Sequence, residues 1–365
     1  MSDATTGTHP DAMGAGVLPD HAIAAMIATG RIACDRPDAD QVQPASLDLR
    51  LGKVAYRVRA SFLAGHGARV ADRIAEFEMH RMDLTAGAVL EKGCVYVVPL
   101  MEGMALPADV SAACNAKSST GRVDCLTRVI ADGGTEFDRI PAGYTGPLYA
   151  EICPRSFSVK VAPGLRLNQI RFRRGQAVLS DAELTARHAD TPLVDGTAVI
   201  DEGLGFSVDL TPTATGIVGY RAKPHAGVID LTRVGAHAIP EFWEEVRSEH
   251  GRIILDPGAF YILVSREAVT IPPDCAAEMS PYLAMVGEFR VHYAGFFDPG
   301  FGHGVPARGV LEVRCHEAPF VLEHGQVVGR LVYERMAALP ERLYGAGIAS
   351  NYQGQGLKLS KHFKG

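Results

Sequence analysis

The chain has 365 residues with a formal net charge of −6, 39 glycines and 7% aromatic residues. This length predicts two domains of ordinary size, and the acidic balance without a basic stripe argues against a protein that binds nucleic acid. Abundant glycine with few aromatic residues favours turn-rich β structure over helical bundles.

The seven cysteines are scattered along the chain, and no two of them form a Cys-x-x-Cys pair. An odd, dispersed set is typical of reduced thiols and not of a disulfide framework. No apolar run approaches the roughly 18 residues of a membrane span, and the N-terminus lacks a signal-peptide pattern. We therefore expect a soluble, cytoplasmic protein that does not associate with membranes.

In chain order, residues 1–18 predict a polar tail. The apolar spacing over residues 19–30 predicts a short amphipathic helix with Asp20 as its N-cap. Beyond it, short apolar or alternating runs broken by Gly and Pro predict antiparallel β structure.

Four short patterns recur in the same order at a separation of about 160 to 165 residues, which predicts a tandem duplication. We expect domains at 1–190 and 191–365, with the seam in a polar stretch around 186–203. The matched patterns are Ser46–Leu49 with Ser207–Leu210, Gly93-x-x-Tyr96 with Gly258-x-x-Tyr261, Leu106–Asp109 with Ile271–Asp274, and Glu151 followed by Gly164 with Glu312 followed by Gly325.

Lys117-Ser118-Ser119-Thr120-Gly121-Arg122 places two adjacent hydroxyls, a glycine and two cations within six residues. Hydroxyl and backbone N–H groups donate to phosphate oxygens, while Arg adds a fixed fork of charged donors and Lys a mobile charge. Alone, such a cluster also fits a solvated turn. The second copy, at 279–284, lacks it.

The second copy instead contains Gly295 to Gly302, in which Asp298 precedes Pro-Gly. The first copy, at 139–146, has no acid directly before its Pro. An Asp before Pro-Gly is also a common turn residue. Because each copy keeps a motif that the other has lost, we expect one composite site built from both.

Four segments resemble motifs of the dCTP deaminase branch of the dUTPase-like superfamily. They are an opening motif at 44–52, the phosphate motif at 117–122, a nucleoside-binding hairpin at 295–302 and a C-terminal lid at 350–356. The resemblance spans nearly the whole chain. It implies a mainly β fold of two tandem dUTPase-like distorted jelly-roll (β-clip) domains with a few short helices.

In that family the catalyst is a Glu on the strand after the nucleoside hairpin, where it shuttles a proton between the attacking water and the pyrimidine. Glu312 is preferred because it follows the intact hairpin, and Glu151 is the second candidate. The resemblance also implies that Ser118 and Arg122 position the water and the phosphates. A Glu in an apolar strand equally fits a solvent-facing position.

The resemblance further implies a set of substrate-binding residues. Many relatives have Lys where this chain has Asn351, so Lys358 or Lys361 is expected to supply that cation. We interpret Asp48 and Asp209 as structural. Gln326 and Gln169, on matching strands, are expected either to touch the base or the lid or only to pack. The expected set is Lys117, Ser119, Asp298, Phe301, Gln326, Tyr344, Tyr352 and Gln355.

A zinc deaminase needs His-x-Glu with a downstream Pro-Cys-x-x-Cys, and the sequence has no such pair. We therefore expect no zinc and no catalytic metal, with Mg²⁺ arriving on the triphosphate. The resemblance implies a homo-oligomer with trimer-type packing of domains and dTTP as an inhibitor.

The predicted function is metal-independent hydrolytic deamination of dCTP to dUTP and ammonia for dTTP biosynthesis. The rival enzymes are a dUTP pyrophosphatase and a bifunctional enzyme that performs both steps. A third alternative is a nucleotide-sensing protein without catalysis, because each half has lost motifs. The fourth alternative is a purely structural β protein without a nucleotide site.

Overall fold

The computed structural model describes residues 13–281, 289–292, 295–345 and 356–364. Within them the protein is mainly β, and none of the helices is long and apolar enough to span a membrane. The helices are all short: α1 (Asp20–Ala28), α2 (Val70–Phe77), α3 (Ser118–Gly121), α4 (Asp181–Asp190) and α5 (Ile239–Phe242).

The first half contains two main antiparallel sheets. One has the order β11-β9-β14-β4-β3, with β1 also on β14, and the other β10-β12-β8-β5-β6, with β2 also on β8. The strands are β1 (Gly16–Val17), β2 (Ile32–Ala33), β3 (Val42–Gln43), β4 (Ser46–Arg50), β5 (Val54–Val58), β6 (Glu78–Asp83), β7 (Ala88–Leu90), β8 (Val95–Ala105), β9 (Val110–Ala116), β10 (Cys125–Ala131), β11 (Arg139–Ile140), β12 (Thr145–Pro154), β13 (Val159–Val161) and β14 (Arg166–Arg174).

The second half repeats this arrangement. Its sheets have the orders β23-β21-β26-β15 and β22-β24-β20-β16-β18, which match β11-β9-β14-β4 and β10-β12-β8-β5-β6 strand for strand. The strands are β15 (Leu204–Ser207), β16 (Gly219–Ala222), β17 (Ile229–Asp230), β18 (Trp243–Val246), β19 (Arg252–Leu255), β20 (Phe260–Val269), β21 (Cys275–Pro281), β22 (Phe289–His292), β23 (Phe296–Phe297), β24 (Ala307–Cys315), β25 (Phe320–Glu323) and β26 (Val327–Arg335).

Equivalent residues also make equivalent contacts, which confirms the duplication. The Tyr96 hydroxyl accepts from the backbone N–H of Glu91, and the Tyr261 hydroxyl accepts in the same way from Asp256. Glu151 and Glu312 likewise occupy matching positions. Glu151 lies opposite Val97 in the β12–β8 ladder, and Glu312 lies opposite Ile262 in the β24–β20 ladder.

One of the four repeat matches is wrong in register. Leu51 exchanges backbone hydrogen bonds with the Gly164 turn, and Val208 exchanges them with the corresponding Gly325 turn. Val208 is therefore the counterpart of Leu51, so the matched Ser46–Leu49 and Ser207–Leu210 segments are out of step by four residues. An alternating strand repeats every two residues, so a short Ser-x-Asp-Leu pattern can match in more than one register.

The two halves share a core and are not independent bodies. β13 of the first half pairs in parallel with β17 of the second, through Val159 and Ile229. The larger apolar cluster combines first-half residues such as Phe157 with Phe242 and Trp243 of the second half. This packing fixes one half against the other, as a site built from both requires.

The predicted first helix is present, but Asp20 does not cap it. Pro19 occupies the N-cap position of α1, and no side chain caps the helix end. The buried Asp20 carboxylate instead accepts backbone N–H groups of Glu341 and Arg342. The acid ties the end of the second half to the first, a long-range role that local helix rules do not reveal.

The linker between the halves contains α4, which has a complete capping box between Ser180 and Glu183. Its buried Leu184 packs in the second apolar cluster. The helix thus contributes to the second core, although it precedes residue 191.

The C-terminal segment 356–364 returns to the shared core, where Phe363 packs against His237, Phe242 and Trp243. Phe363→Ala should lower the free energy of unfolding by about 3–4 kcal/mol, because it removes a buried ring and leaves a cavity. The exposed neighbour Lys364 is the matched control, and its Ala variant should stay within about 0.5 kcal/mol of the parent. Chemical denaturation measures both, and equal stability of the two variants would contradict the prediction.

Candidate active site

A cavity of about 390 Å³ lies where the two halves meet. The first half contributes the α3 region and residues of β4 and β14, and the second contributes the 295–301 hairpin, β24 and Tyr344. Both composite motifs predicted from the sequence therefore face the same space.

The Lys117 to Arg122 motif forms one tight turn at the edge of β14. The Lys117 N–H donates to the Leu167 carbonyl at 2.8 Å, and the Arg122 N–H closes the turn on Ser118 at 3.0 Å. This geometry directs Lys117, Ser118, Ser119 and Arg122 into the cavity wall.

Carboxylates accompany the cations at this end of the cavity. Lys117 forms an ion pair with the buried Asp48 of β4. Arg166 of β14 pairs with Asp38 at 2.6 Å and with Asp40 at 2.8 Å. Such pairs keep the positive groups compensated until an anionic ligand competes for them.

The structural interpretation of Asp48 stays a prediction, and its carboxylate also lines the cavity beside Lys117. Sequence analysis did not select Arg166, which also lines the cavity. The only signal for it was a cation at the start of β14, the strand that pairs with β4. Asp209 agrees with its structural interpretation, since it pairs with Arg308 and accepts the Thr211 N–H.

The second-half hairpin presents Asp298 and Phe301 to the cavity. The Phe301 ring packs edge-on against the Phe297 ring, with 5.1 Å between the ring centres. It also packs against the tilted Tyr344 ring, with 5.6 Å between the ring centres. Gly302 has a φ of +68°, and a Cβ there would come within 2.0 Å of the Val269 carbonyl oxygen. Only glycine fits this close turn, which holds Phe301 against the wall.

Glu312 lies on β24 with only 4% of its surface exposed, and it also lines the cavity. Burial raises its pKa to about 8, although the nearby Arg122 opposes this shift. The Arg122 Nε lies 3.9 Å from Glu312 Oε1. A carboxyl group with a pKa near neutrality can both donate and accept a proton at physiological pH.

The raised pKa of Glu312 predicts a pH-dependent stability. Between its ordinary pKa of 4.5 and about 8, the folded state binds more protons than the unfolded state, so stability falls as the pH rises. Gln cannot ionise, so Glu312→Gln should gain stability over the parent from pH 5 to pH 9, by up to roughly 5 kcal/mol. Thermal unfolding at both pH values measures this difference. A constant difference would contradict the buried, neutral carboxyl.

Glu151, the second catalytic candidate, is not among the residues lining this cavity. Its carboxylate is paired with Arg128. The Arg128 guanidinium in turn lies 3.6 Å from the centre of the Phe137 ring. Arg128 thus lies between the Glu151 carboxylate and the Phe137 ring.

Gln326 also lies away from the cavity, which Gln169 lines instead. Gln326 is in the β25–β26 turn, where its Oε1 accepts the Glu323 N–H. Strand register explains the difference between the two Gln residues. Ile170 of β14 and Leu331 of β26 occupy matching positions in the two halves, so the counterpart of Gln169 is Arg330 and not Gln326. Gln169 is oriented by donating its side-chain amide to Asn115 at 2.8 Å.

The C-terminal segment approaches the phosphate motif from outside. Arg122 Nη1 donates to the Lys358 carbonyl at 3.0 Å, and the Ser360 hydroxyl donates to the Ser119 carbonyl at 2.7 Å. Lys361 lines the cavity, where burial and the nearby Lys117 lower its pKa. Tyr352 and Gln355, predicted to bind substrate, lie outside the described residues, as does Asn351.

The family model described as 2'-deoxycytidine 5'-triphosphate deaminase N-terminal domain matches residues 14–176. The corresponding C-terminal domain model matches residues 180–363. The two matches leave only residues 177–179 between them, just before α4.

The protein is similar to the crystal structure of 2'-deoxycytidine 5'-triphosphate deaminase from Agrobacterium tumefaciens. The two share 56% sequence identity with a TM-score of 0.86, over 90% of this chain and 99% of the other.

Two curated relatives are named dCTP deaminase, dUMP-forming. The protein from Clavibacter michiganensis subsp. michiganensis is 36% identical over 32% of this chain and 58% of its own length. The protein from Acidothermus cellulolyticus is 29% identical over 42% of this chain and 78% of its own length. Matches to these relatives thus span between about half and four fifths of their length. With both family models matched in order, the chain belongs to the dCTP deaminase family.

Proposed function

We propose that the protein removes the amino group of dCTP by hydrolysis, giving dUTP and ammonia, in the cavity between its two halves. The observation that carries this proposal is Glu312, a buried carboxyl with a pKa raised to about 8. It lies on a wall formed by the second half, and the cationic turn at Lys117 belongs to the first half. Family membership and the names of the relatives supply the substrate class.

In the proposed reaction the neutral Glu312 donates its proton to N3 of the cytosine. The resulting carboxylate then takes a proton from the water that attacks C4. That proton passes to the amino group, the C4–N bond breaks, and ammonia leaves, while the hydroxyl now on C4 returns its proton to Glu312 and becomes the uracil carbonyl. The balance is one dCTP and one water consumed for one dUTP and one ammonia formed.

Two first-half residues assist this step in the proposal. The Arg122 guanidinium, 3.9 Å from Glu312, stabilises the carboxylate that forms after proton transfer. Ser118 lines the same cavity and provides a hydroxyl to hold the attacking water.

The remaining cavity residues divide between the phosphates and the sugar. Lys117, Ser119 and Lys361 face the phosphate end, where they would replace carboxylate partners by phosphate oxygens. Asp298 is proposed to accept a hydrogen bond from the 3'-hydroxyl, and Phe301 to pack on the deoxyribose.

We also propose that the reaction needs no resident metal ion. The support is chemical: Glu312 itself can move the proton, and the sequence lacks the zinc-deaminase motif pair. Mg²⁺ would enter with the triphosphate as part of the substrate. Oligomerisation through trimer-type packing and inhibition by dTTP remain proposals that sedimentation and inhibition assays address.

A second candidate is a bifunctional enzyme that continues from dUTP to dUMP and pyrophosphate. The curated relatives named dUMP-forming favour it. The second hydrolysis needs a carboxylate to orient a water at the α-phosphate, and Asp48 lies beside Lys117 in the same cavity. We expect Asp48→Asn to separate the two activities if both are present.

The deciding experiment incubates the purified chain with Mg²⁺ and either dCTP or dUTP, and assays nucleotides, ammonia and pyrophosphate together. Ammonia with dUTP supports the deaminase, and ammonia with dUMP and pyrophosphate supports the bifunctional enzyme. Pyrophosphate from dUTP without ammonia from dCTP would refute deamination. A parallel incubation after treatment with a zinc-selective chelator, with Mg²⁺ retained, should leave the rate unchanged.

A further inference from the structure

Arg171 of β14 has a side chain with no exposed surface, and it does not line the cavity. Burying a guanidinium is costly unless its charge and its N–H donors are compensated. The chain keeps this cation at the junction of the halves, and neither the phosphate motif nor the proton transfer uses it.

All of the partners of Arg171 named here belong to the second half. Nη1 donates to the Ala277 carbonyl at 2.9 Å and to Glu334 Oε2 at 3.2 Å. Nη2 donates to the Phe297 carbonyl at 3.2 Å and to Asp298 Oδ1 at 3.3 Å.

The same guanidinium lies 4.1 Å from the centre of the Phe296 ring, close enough for a cation–π contact. Together with the bonds to Phe297 and Asp298, Arg171 therefore contacts three consecutive residues of the hairpin. A planar fork can serve a backbone carbonyl and a carboxylate while it stacks on a ring, and a Lys ammonium cannot.

The contact to Asp298 has an electrostatic consequence as well. Burial raises the pKa of Asp298, and the positive charge of Arg171 is the main opposing influence. Without this cation, the carboxyl would be both less fixed in direction and less able to accept a hydrogen bond as an anion.

We propose that Arg171 is a positioning residue, by which the first half holds the hairpin of the second half so that Asp298 can bind the sugar hydroxyl. The role rests on the proposed function, because it assigns Asp298 to the deoxyribose. It makes sugar recognition, like phosphate recognition, dependent on both halves.

The strand offers a matched control in Arg173, two residues along β14. Its guanidinium also bridges the halves, but it binds Glu278 at 2.8 Å and Glu334 at 3.0 Å. Replacing Arg173 by Met removes a bridge of similar kind and leaves the three hairpin contacts in place.

The test compares dCTP with 2',3'-dideoxy-CTP, which lacks the 3'-hydroxyl, by kcat/KM and by dissociation constant. The parent should prefer dCTP by about 10- to 100-fold, as expected for a hydrogen bond to a charged group. In Arg171→Met this preference should fall to about threefold or less, and in Arg173→Met it should stay at the parental value. Arg171→Lys, which keeps the charge, should be intermediate.

An unchanged preference in Arg171→Met, or an equal loss in Arg173→Met, would overturn the proposal. If the Met variant does not fold, the Lys variant decides, and an unchanged preference there overturns it too. A parent that binds dCTP without releasing ammonia would refute the proposed reaction, but the dissociation constants would still test Arg171. A parent that binds neither nucleotide, or both equally, would refute the sugar role.

Discussion

Glu312→Gln should reduce ammonia release from dCTP by roughly 10²- to 10⁴-fold, the usual contribution of a general acid–base group. Gln keeps the shape and polarity of the side chain but cannot carry the proton. Because the phosphate turn and the hairpin are untouched, the dissociation constant for dCTP should stay within a few-fold of the parent. Single-turnover kinetics and calorimetric titration measure the two quantities separately.

The duplication supplies an internal control for this variant. Glu151 occupies the matching position in the first half, but its carboxylate is engaged by Arg128. Glu151→Gln should therefore change the rate by no more than a few-fold, with any loss traced to stability. If Glu151→Gln were inactive and Glu312→Gln active, the proposed location of the site would be reversed.

Arg122→Ala should lower kcat/KM by roughly 10²- to 10³-fold through both kcat and KM. The buried guanidinium lies beside Glu312 and donates to the Lys358 carbonyl of the C-terminal segment. Its loss removes a proposed phosphate donor, raises the pKa of Glu312 further, and releases the contact to the C-terminal segment that contains Lys361. Arg122→Lys should recover part of the rate, because it restores charge without the planar fork.

Arg128→Ala is the matched control for Arg122→Ala, since both Arg residues belong to the first half and Arg128 lies beside Glu151 as Arg122 lies beside the equivalent Glu312. We expect Arg128→Ala to destabilise the protein, because it leaves the buried Glu151 carboxylate without its cation. The rate of the folded fraction should change little. A dissociation constant for dCTP that is unaffected by Arg122→Ala would contradict the assignment of the phosphate turn.

The two Glu environments suggest how the halves have specialised. In the second half, Glu312 faces a cavity whose other wall belongs to the first half. In the first half, the Glu151 carboxylate is instead paired with Arg128, whose guanidinium stacks on Phe137. The described residues thus bring one of the two carboxylates into a composite cavity.

Several features were accessible from the sequence because they depend on local patterns. The mainly β class followed from short apolar runs broken by glycine and proline, and the duplication from recurrent pairs such as Tyr96 and Tyr261. The phosphate turn and the hairpin were visible because each is a continuous segment. That the two motifs share one cavity followed from their complementary loss.

Sequence reasoning failed where a long-range contact decides the role of a residue. Asp is a common helix-capping residue, but the Asp20 carboxylate accepts the backbone N–H of Glu341, far along the chain. Gln326 was matched to Gln169 because both were placed on corresponding strands, yet strand register puts Gln169, and not Gln326, in the cavity. Short alternating patterns match in several registers, and hydrogen bonding between strands selects one of them.

The sequence by itself therefore determined the fold class, the repeat and the two motif segments, since each is encoded by neighbouring residues. Only the tertiary structure decided that Glu312 faces the cavity and that the equivalent Glu151 is paired with Arg128, because both depend on contacts between residues that are distant in the chain. It also revealed Asp48 and Arg171, whose roles come from partners distant in the chain. Burial and charge pairing with these distant partners determine where Asp48 and Arg171 lie, and no local pattern records either.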